Sequence, residues 1–105
     1  MSYQKLVRDH IPEMIRQSGK KPIVRGLGDE EYTACLHQKL DEEVGEFHQD
    51  KNAEELADIL EVVFALAADL GISREMLMET YEKKHAHRGG FSKRLFLQEV
   101  EDDCL

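Results

Sequence analysis

The chain has 105 residues, 34% of them charged, and its 22 Asp and Glu against 14 Lys and Arg leave a formal net charge of −8. That length suits one domain with a modest core, at the small end for a free-standing enzyme, so self-association is expected. Such an acidic surface repels nucleic-acid polymers and anionic membranes at long range, while admitting a small anionic ligand that arrives with a metal ion.

Pro12 and Pro22 punctuate the first quarter, and Asp29 to Arg88 is proline-free, as antiparallel helices require. Arg8 to Ser18 reads as a short helix with Pro12 in its first turn and Ser18-Gly19 at its end. Lys20 to Leu27 reads as an extended connection. Asp29 is a good N-cap for a second helix reaching about Gln49, with Tyr32, Leu36, Leu40, Val44 and Phe47 repeating on one core-facing side. His48-Gln49-Asp50-Lys51-Asn52 makes a turn, and Asn52 with Glu55 reads as N-cap and N3 of a third helix that Gly71 ends. Ser73 caps a fourth helix, through Met76, Leu77 and Tyr81 to a cationic last turn before Gly89-Gly90. Phe91 to Leu97 reads as a short strand or an irregular docked segment.

The expected fold class is therefore all-α: an antiparallel bundle of about four helices, one domain over residues 1–105, completed by dimerisation. Leu56, Ile59, Leu60, Val62, Val63, Phe64, Leu66 and Leu70 cover most of the third helix's circumference, and one hairpin cannot bury them all. A homodimer or higher oligomer with third helices packed together, and a ligand site near the interface, is the expectation. Cys35 and Cys104 form neither a disulfide framework nor a C-x-x-C pair, and no signal-like or membrane-length apolar run is present, which predicts a cytoplasmic protein.

Carboxylates interrupt this apolar pattern. Glu43 with Glu46, and Glu55 with Asp58, each stand three apart and share a helix face. In an antiparallel hairpin folded at Asp50-Lys51, Glu43 lies opposite Asp58 and Glu46 opposite Glu55. Facing helices roughly 8–10 Å apart let such side chains converge on a cation, and oxygen-only ligation favours Mg²⁺, with Mn²⁺ as substitute. A ferritin-like di-iron centre wants Glu-x-x-His on facing helices, and Asp58 stands where the histidine would be.

Glu42-Glu43-x-x-Glu46 followed by Glu55-x-x-Asp58, with Lys5-Leu6-Val7-Arg8-Asp9-x-Ile11-Pro12 and Arg88-Gly89-Gly90-Phe91, resembles the all-α nucleoside triphosphate pyrophosphohydrolases, the superfamily of MazG and phosphoribosyl-ATP pyrophosphohydrolase. The flanking motifs resemble its small single-domain, house-cleaning branch, which clears noncanonical nucleotides. The resemblance implies Mg²⁺-dependent hydrolysis between the α- and β-phosphates of a nucleoside triphosphate, giving monophosphate and pyrophosphate. It implies metal ligation by Glu43, Glu46, Glu55 and Asp58, with Glu42 as the remaining motif glutamate. Either Glu42 or Glu46 then serves as the base that takes a proton from water.

Glu61 continues the acidic stripe, to bind a second ion, to orient a ligand or to pair with a nearby lysine. Cations must meet the phosphates, and Lys5, Arg8, Lys84 and Arg88 are the candidates; Lys83 and Arg25 have less context. Cations in the fourth helix's last turn also suit its dipole without any ligand. His37, His48, His85 and His87 lack metal-ligand spacing and are assigned no catalytic role. The competing expectations are a non-catalytic nucleotide-binding or protein-interaction module, and a plain acidic dimerising bundle.

Overall fold

The computed structural model describes residues 4–102; Cys104 lies outside them. The described chain is all-helical, with α1 Ile11–Gln17, α2 Asp29–Gln49, α3 Ala53–Asp69 and α4 Arg74–Arg88. No strand occurs among the described residues, and none of their helices is long and apolar enough to cross a membrane. The residues group into two compact units that divide after Arg74.

In the first unit, α1 begins at Ile11 rather than at Arg8. Proline explains the shorter helix: with no N–H to donate, Pro12 is tolerated only in a helix's opening turn, and here it occupies the second position. Gly19 ends α1 at φ 89°, and the Gly19 and Lys20 amides return to the carbonyls of Arg16 and Ile15 at 2.9 and 3.2 Å.

The second helix corrects the expected cap. Gly28, not Asp29, is its N-cap, and the Tyr32 amide donates to the Gly28 carbonyl at 2.9 Å. Asp29 instead joins Glu30 and Glu31 in the first turn, where three carboxylates offset the positive end of the helix dipole. Arg25 closes on Glu31 with two hydrogen bonds of 3.0 and 2.6 Å. Those bonds hold the Glu31 carboxyl below its ordinary range and raise the guanidinium. Arg25 is therefore engaged in tethering the extended connection.

The α2–α3 turn forms as its residues dictate. The Asn52 side chain accepts from the Glu55 amide at 2.9 Å, and Lys51 Nζ donates to the His48 carbonyl at 2.8 Å. At the far end of the hairpin, Thr33 Oγ1 donates to Asp69 Oδ2 at 2.6 Å and ties the start of α2 to the end of α3. Gly71 at φ 77° closes α3; its amide and that of Ile72 donate to Ala68 and Ala67 at 2.9 and 2.8 Å. The Arg74 guanidinium lies 4.1 Å from the Phe64 ring centre.

On the core face of α2, Leu36 is buried and Tyr32, Leu40, Val44 and Phe47 are half-buried. The core proper is thin: among the described residues only Leu36, Val62 and Ala67 are buried apolar side chains. Leu56 and Leu60 on α3, and Leu70 at its C-cap, are exposed within this single chain, although the sequence pattern predicts them covered.

In the second unit, Tyr81 and His85 stack on α4 with ring centres 5.9 Å apart. After Gly89-Gly90 the segment 91–100 has no strand, and Phe91, Leu95, Phe96, Leu97 and Val100 are exposed.

Candidate metal centre

Helical periodicity and the hairpin register together assemble the acids. Among the described residues Glu43 is the buried charged side chain, 6% exposed, on a helix whose other fully buried residue is Leu36. Its carboxylate meets those of Glu55 and Asp58 from α3, with ligand atoms all within 4.8 Å of one another. A second triad, Glu42, Glu43 and Glu46, satisfies the same limit. Glu43 belongs to both. The expected pairing of Glu43 with Asp58 across the hairpin is thus present, and Glu46 stands against both Glu43 and Glu55.

Two oxygens are left over. Glu43 Oε2 and Glu55 Oε2 are buried with no hydrogen-bond donor among the described residues. Glu46 lies close to both, but ionised carboxylates have no proton to donate to one another. Burial pushes the Glu43 carboxyl up; Lys39 pulls it back down, and the Glu46 charge adds to the rise. Burial likewise raises Glu55, reinforced by the charges of Asp58, Glu43 and Asp50 and opposed in part by the neighbouring Glu46 carboxyl. An unpartnered buried carboxylate oxygen is costly. A cation bound between these groups removes that cost, and a donor set of oxygens alone matches a hard divalent ion. The residues fit such an ion.

Cations of the chain already line the cluster. Lys39 Nζ lies 3.3 Å from Glu43 Oε1 and 3.5 Å from Glu42 Oε1, while Lys5 Nζ reaches Glu42 Oε1 at 3.8 Å. Arg8 spans two acids of α3, with Nη1 3.2 Å from Asp58 Oδ1 and Nη2 3.4 Å from Glu61 Oε1. Glu61 therefore has an ion-pair partner, Arg8, where pairing with a lysine was one of three roles left open for it. Lys84 and Arg88 occupy exposed positions on α4, in the second unit.

A cleft of about 670 Å³ adjoins the acids. The segment before α1 supplies Leu6 and Arg8; α1 supplies Ile11 and Met14; α2 supplies Tyr32, Lys39 and Glu43; α3 supplies Asp58, Glu61, Phe64 and Ala65. Its walls are mostly apolar. Sequence reasoning missed Lys39 and the cleft. Lys39 carried a signal, its three- and four-residue spacing to Glu42 and Glu43 on one helix face. The cleft carried none, because it depends on where the segment before α1 crosses the hairpin.

No family model matches the chain, and no solved structure matches it. One relative shares a short stretch. Over 41 residues, 39% of this chain, the sequence is 63% identical to a protein of Mycolicibacterium smegmatis described as an uncharacterized protein. The match spans 42% of that protein's length. Its description names no activity.

Proposed function

We propose that the chain is a nucleotide pyrophosphohydrolase of the all-α superfamily it resembles, cleaving the α–β bond of a nucleoside triphosphate with Mg²⁺ as cofactor and Mn²⁺ as substitute. The observation carrying this reading is the pair of donorless buried oxygens, Glu43 Oε2 and Glu55 Oε2, meeting from two helices beside Asp58. Glu43, Glu46, Glu55 and Asp58 would hold the ion. When bound, Mg²⁺ neutralises phosphate charge and acidifies a coordinated water.

The chain's own groups do the rest. Glu42 Oε1 is engaged by Lys5 and Lys39, whereas Glu46 lies directly against Glu43 and Glu55; Glu46 would then be the group placed to take a proton from the attacking water. Arg8, already at the cleft wall, binds substrate phosphate once it leaves Asp58, its planar fork matching two phosphate oxygens. Lys5 approaches from the same segment. The thin core and the exposed Leu56 and Leu60 of α3 support a homodimer built on that helix, and house-cleaning of noncanonical nucleotides in the cytoplasm is the corresponding role.

A panel of canonical and modified nucleoside triphosphates with Mg²⁺ tests the reading, with products resolved as pyrophosphate or orthophosphate. Pyrophosphate supports it, and orthophosphate alone names the wrong bond. One observation favours a second reading, a non-catalytic nucleotide-binding module: Lys39 partly neutralises the cluster without any ion. No turnover, with unchanged nucleotide binding in Glu43→Gln, would select that module.

A further inference from the structure

We propose that the segment after α4, residues 91–97, packs against α3 of a second copy of this chain. Two chains exchange these segments, and each covers the other's Leu56 and Leu60. The proposal rests on the homodimer reading of α3 and is independent of the hydrolase reading.

One chain leaves both surfaces open. Phe91, Leu95, Phe96 and Leu97 are 78–98% exposed within seven residues, and Leu56 and Leu60 are about half exposed on α3. Scattered exposed hydrophobes are ordinary, but four large ones in so short a run mark a surface that something covers. The helix before them has the same need: α4 has 15 residues and no buried side chain, and a lone helix of that length is marginal in water. The backbone agrees. Among the described residues Arg94 is the non-glycine residue at positive φ, 59°, and its amide donates to the Phe91 carbonyl at 3.0 Å to close a tight turn. An arginine holds this disfavoured conformation where its surroundings fix it. The side chains around the turn are exposed in one chain, so the fixing contacts belong to a partner.

Charge selects that partner. From Lys83 to Gln98 the sequence places Lys83, Lys84, Arg88, Lys93 and Arg94 and no carboxylate, in a chain of net charge −8. A basic apolar segment fits an acidic apolar surface. The third helix offers one, because Glu54 and Glu61 are exposed on the row beside the two leucines, the latter shared with Arg8. The lengths also match: seven residues reach at most about 23 Å, and the 17 residues of α3 rise about 25 Å. A two-fold exchange closes both open surfaces at once.

The test uses the full chain with Phe96→Glu, a substitution at a position 88% exposed in one chain. Sedimentation velocity should show its dimer dissociation constant raised at least about thirtyfold, as Leu60→Glu raises it. Mixing the two variants decides the arrangement. In the mixed dimer one contact keeps an intact tail on an intact α3, and both defects fall in the other contact, where they cost less than in two separate ones. Native mass spectrometry with one variant ¹⁵N-labelled should therefore show mixed dimers at least about tenfold more stable than either variant's own. Wild-type dimers should also weaken from 0.05 to 0.5 M NaCl, as about expected for charge pairing at a surface, and Lys93→Glu should weaken them further. Phe96→Glu that dimerises like wild type while Leu60→Glu does not removes the exchange and keeps the α3 dimer. A wild-type monomer removes both. Two weakened variants with no preference for mixed dimers overturn the exchange. Binding to phosphatidylglycerol vesicles that Phe96→Glu abolishes, with the dimer unchanged, would place the segment on a lipid surface and overturn it as well.

Discussion

Lys39 Nζ lies 3.3 Å from Glu43 Oε1, one helical turn upstream, so the buried glutamate has a covalently supplied counter-ion. The lysine is itself well covered, its side chain 15% exposed. Removing one partner of a covered pair leaves the other charge uncompensated, and that penalty exceeds the value of the pair. Lys39→Met keeps the hydrocarbon stem and deletes the charge. The expected outcome is a stability loss of about 3 kcal/mol in urea unfolding. Millimolar Mg²⁺ should recover more stability in the variant than in wild type, since the ion then neutralises Glu43 alone. A loss that Mg²⁺ does not reduce would count against a cation between these carboxylates.

The upward shifts of Glu43 and Glu55 set a pH dependence. Both groups hold protons more tightly folded than unfolded, where the ordinary value is 4.5. Their stabilising contribution is complete below that value and is lost as pH rises through their raised folded values. Without divalent ions, wild type should therefore lose stability relative to a Glu43→Gln, Glu55→Gln double variant as pH climbs from about 4 to 7. Stabilisation of wild type by Mg²⁺ should follow the opposite course, absent at the acid end and growing as the carboxylates ionise. Urea unfolding across that range, with and without Mg²⁺, measures both trends; a flat wild-type-minus-variant difference would contradict the burial argument.

Exposed Leu56 and Leu60 lie one turn apart on α3. Leu60→Glu places a charge in the middle of that stripe without touching the acid cluster. Sedimentation velocity should show wild type as a dimer, with the variant's dissociation constant raised at least about thirtyfold, as for a central apolar contact. A wild-type mass equal to one chain at every concentration would reject the dimer.

The local elements were legible where one residue type had one physical use. Asn52 caps α3, Gly71 ends it, and the spacing of Glu43, Glu46, Glu55 and Asp58 encodes which carboxylates meet, because helical period and hairpin register are both arithmetic. Start positions were less legible. Asp29 looked like a cap and is a first-turn residue, since Gly28 reaches the extended capping conformation and the acids are placed as well one residue later. Arg8 looked helical until Pro12 limited how far back α1 extends. Its partner Glu61 lies 53 residues away in sequence, so no local pattern could have joined them.

That partnership has a consequence for metal binding. Arg8 grips Asp58 and Glu61 together, but all three side chains reach solvent, and exposed pairs of this kind contribute up to about 1 kcal/mol. A divalent ion at Asp58 would carry twice the charge and would displace the guanidinium from that carboxylate. Glu61 is one helical turn further along and can retain Arg8 beside the cleft, ready for a phosphate. Arg8→Met should therefore bind Mg²⁺ severalfold more tightly, because a competing cation has gone, while binding triphosphates more weakly. Asp58→Asn should lose at least about tenfold in Mg²⁺ affinity, and Glu61→Gln should change it by less than about threefold. Calorimetric titration of the three variants separates these roles. Weaker Mg²⁺ binding in Arg8→Met would mean that the arginine supports the ion site, and the exchange from Asp58 to phosphate would be wrong.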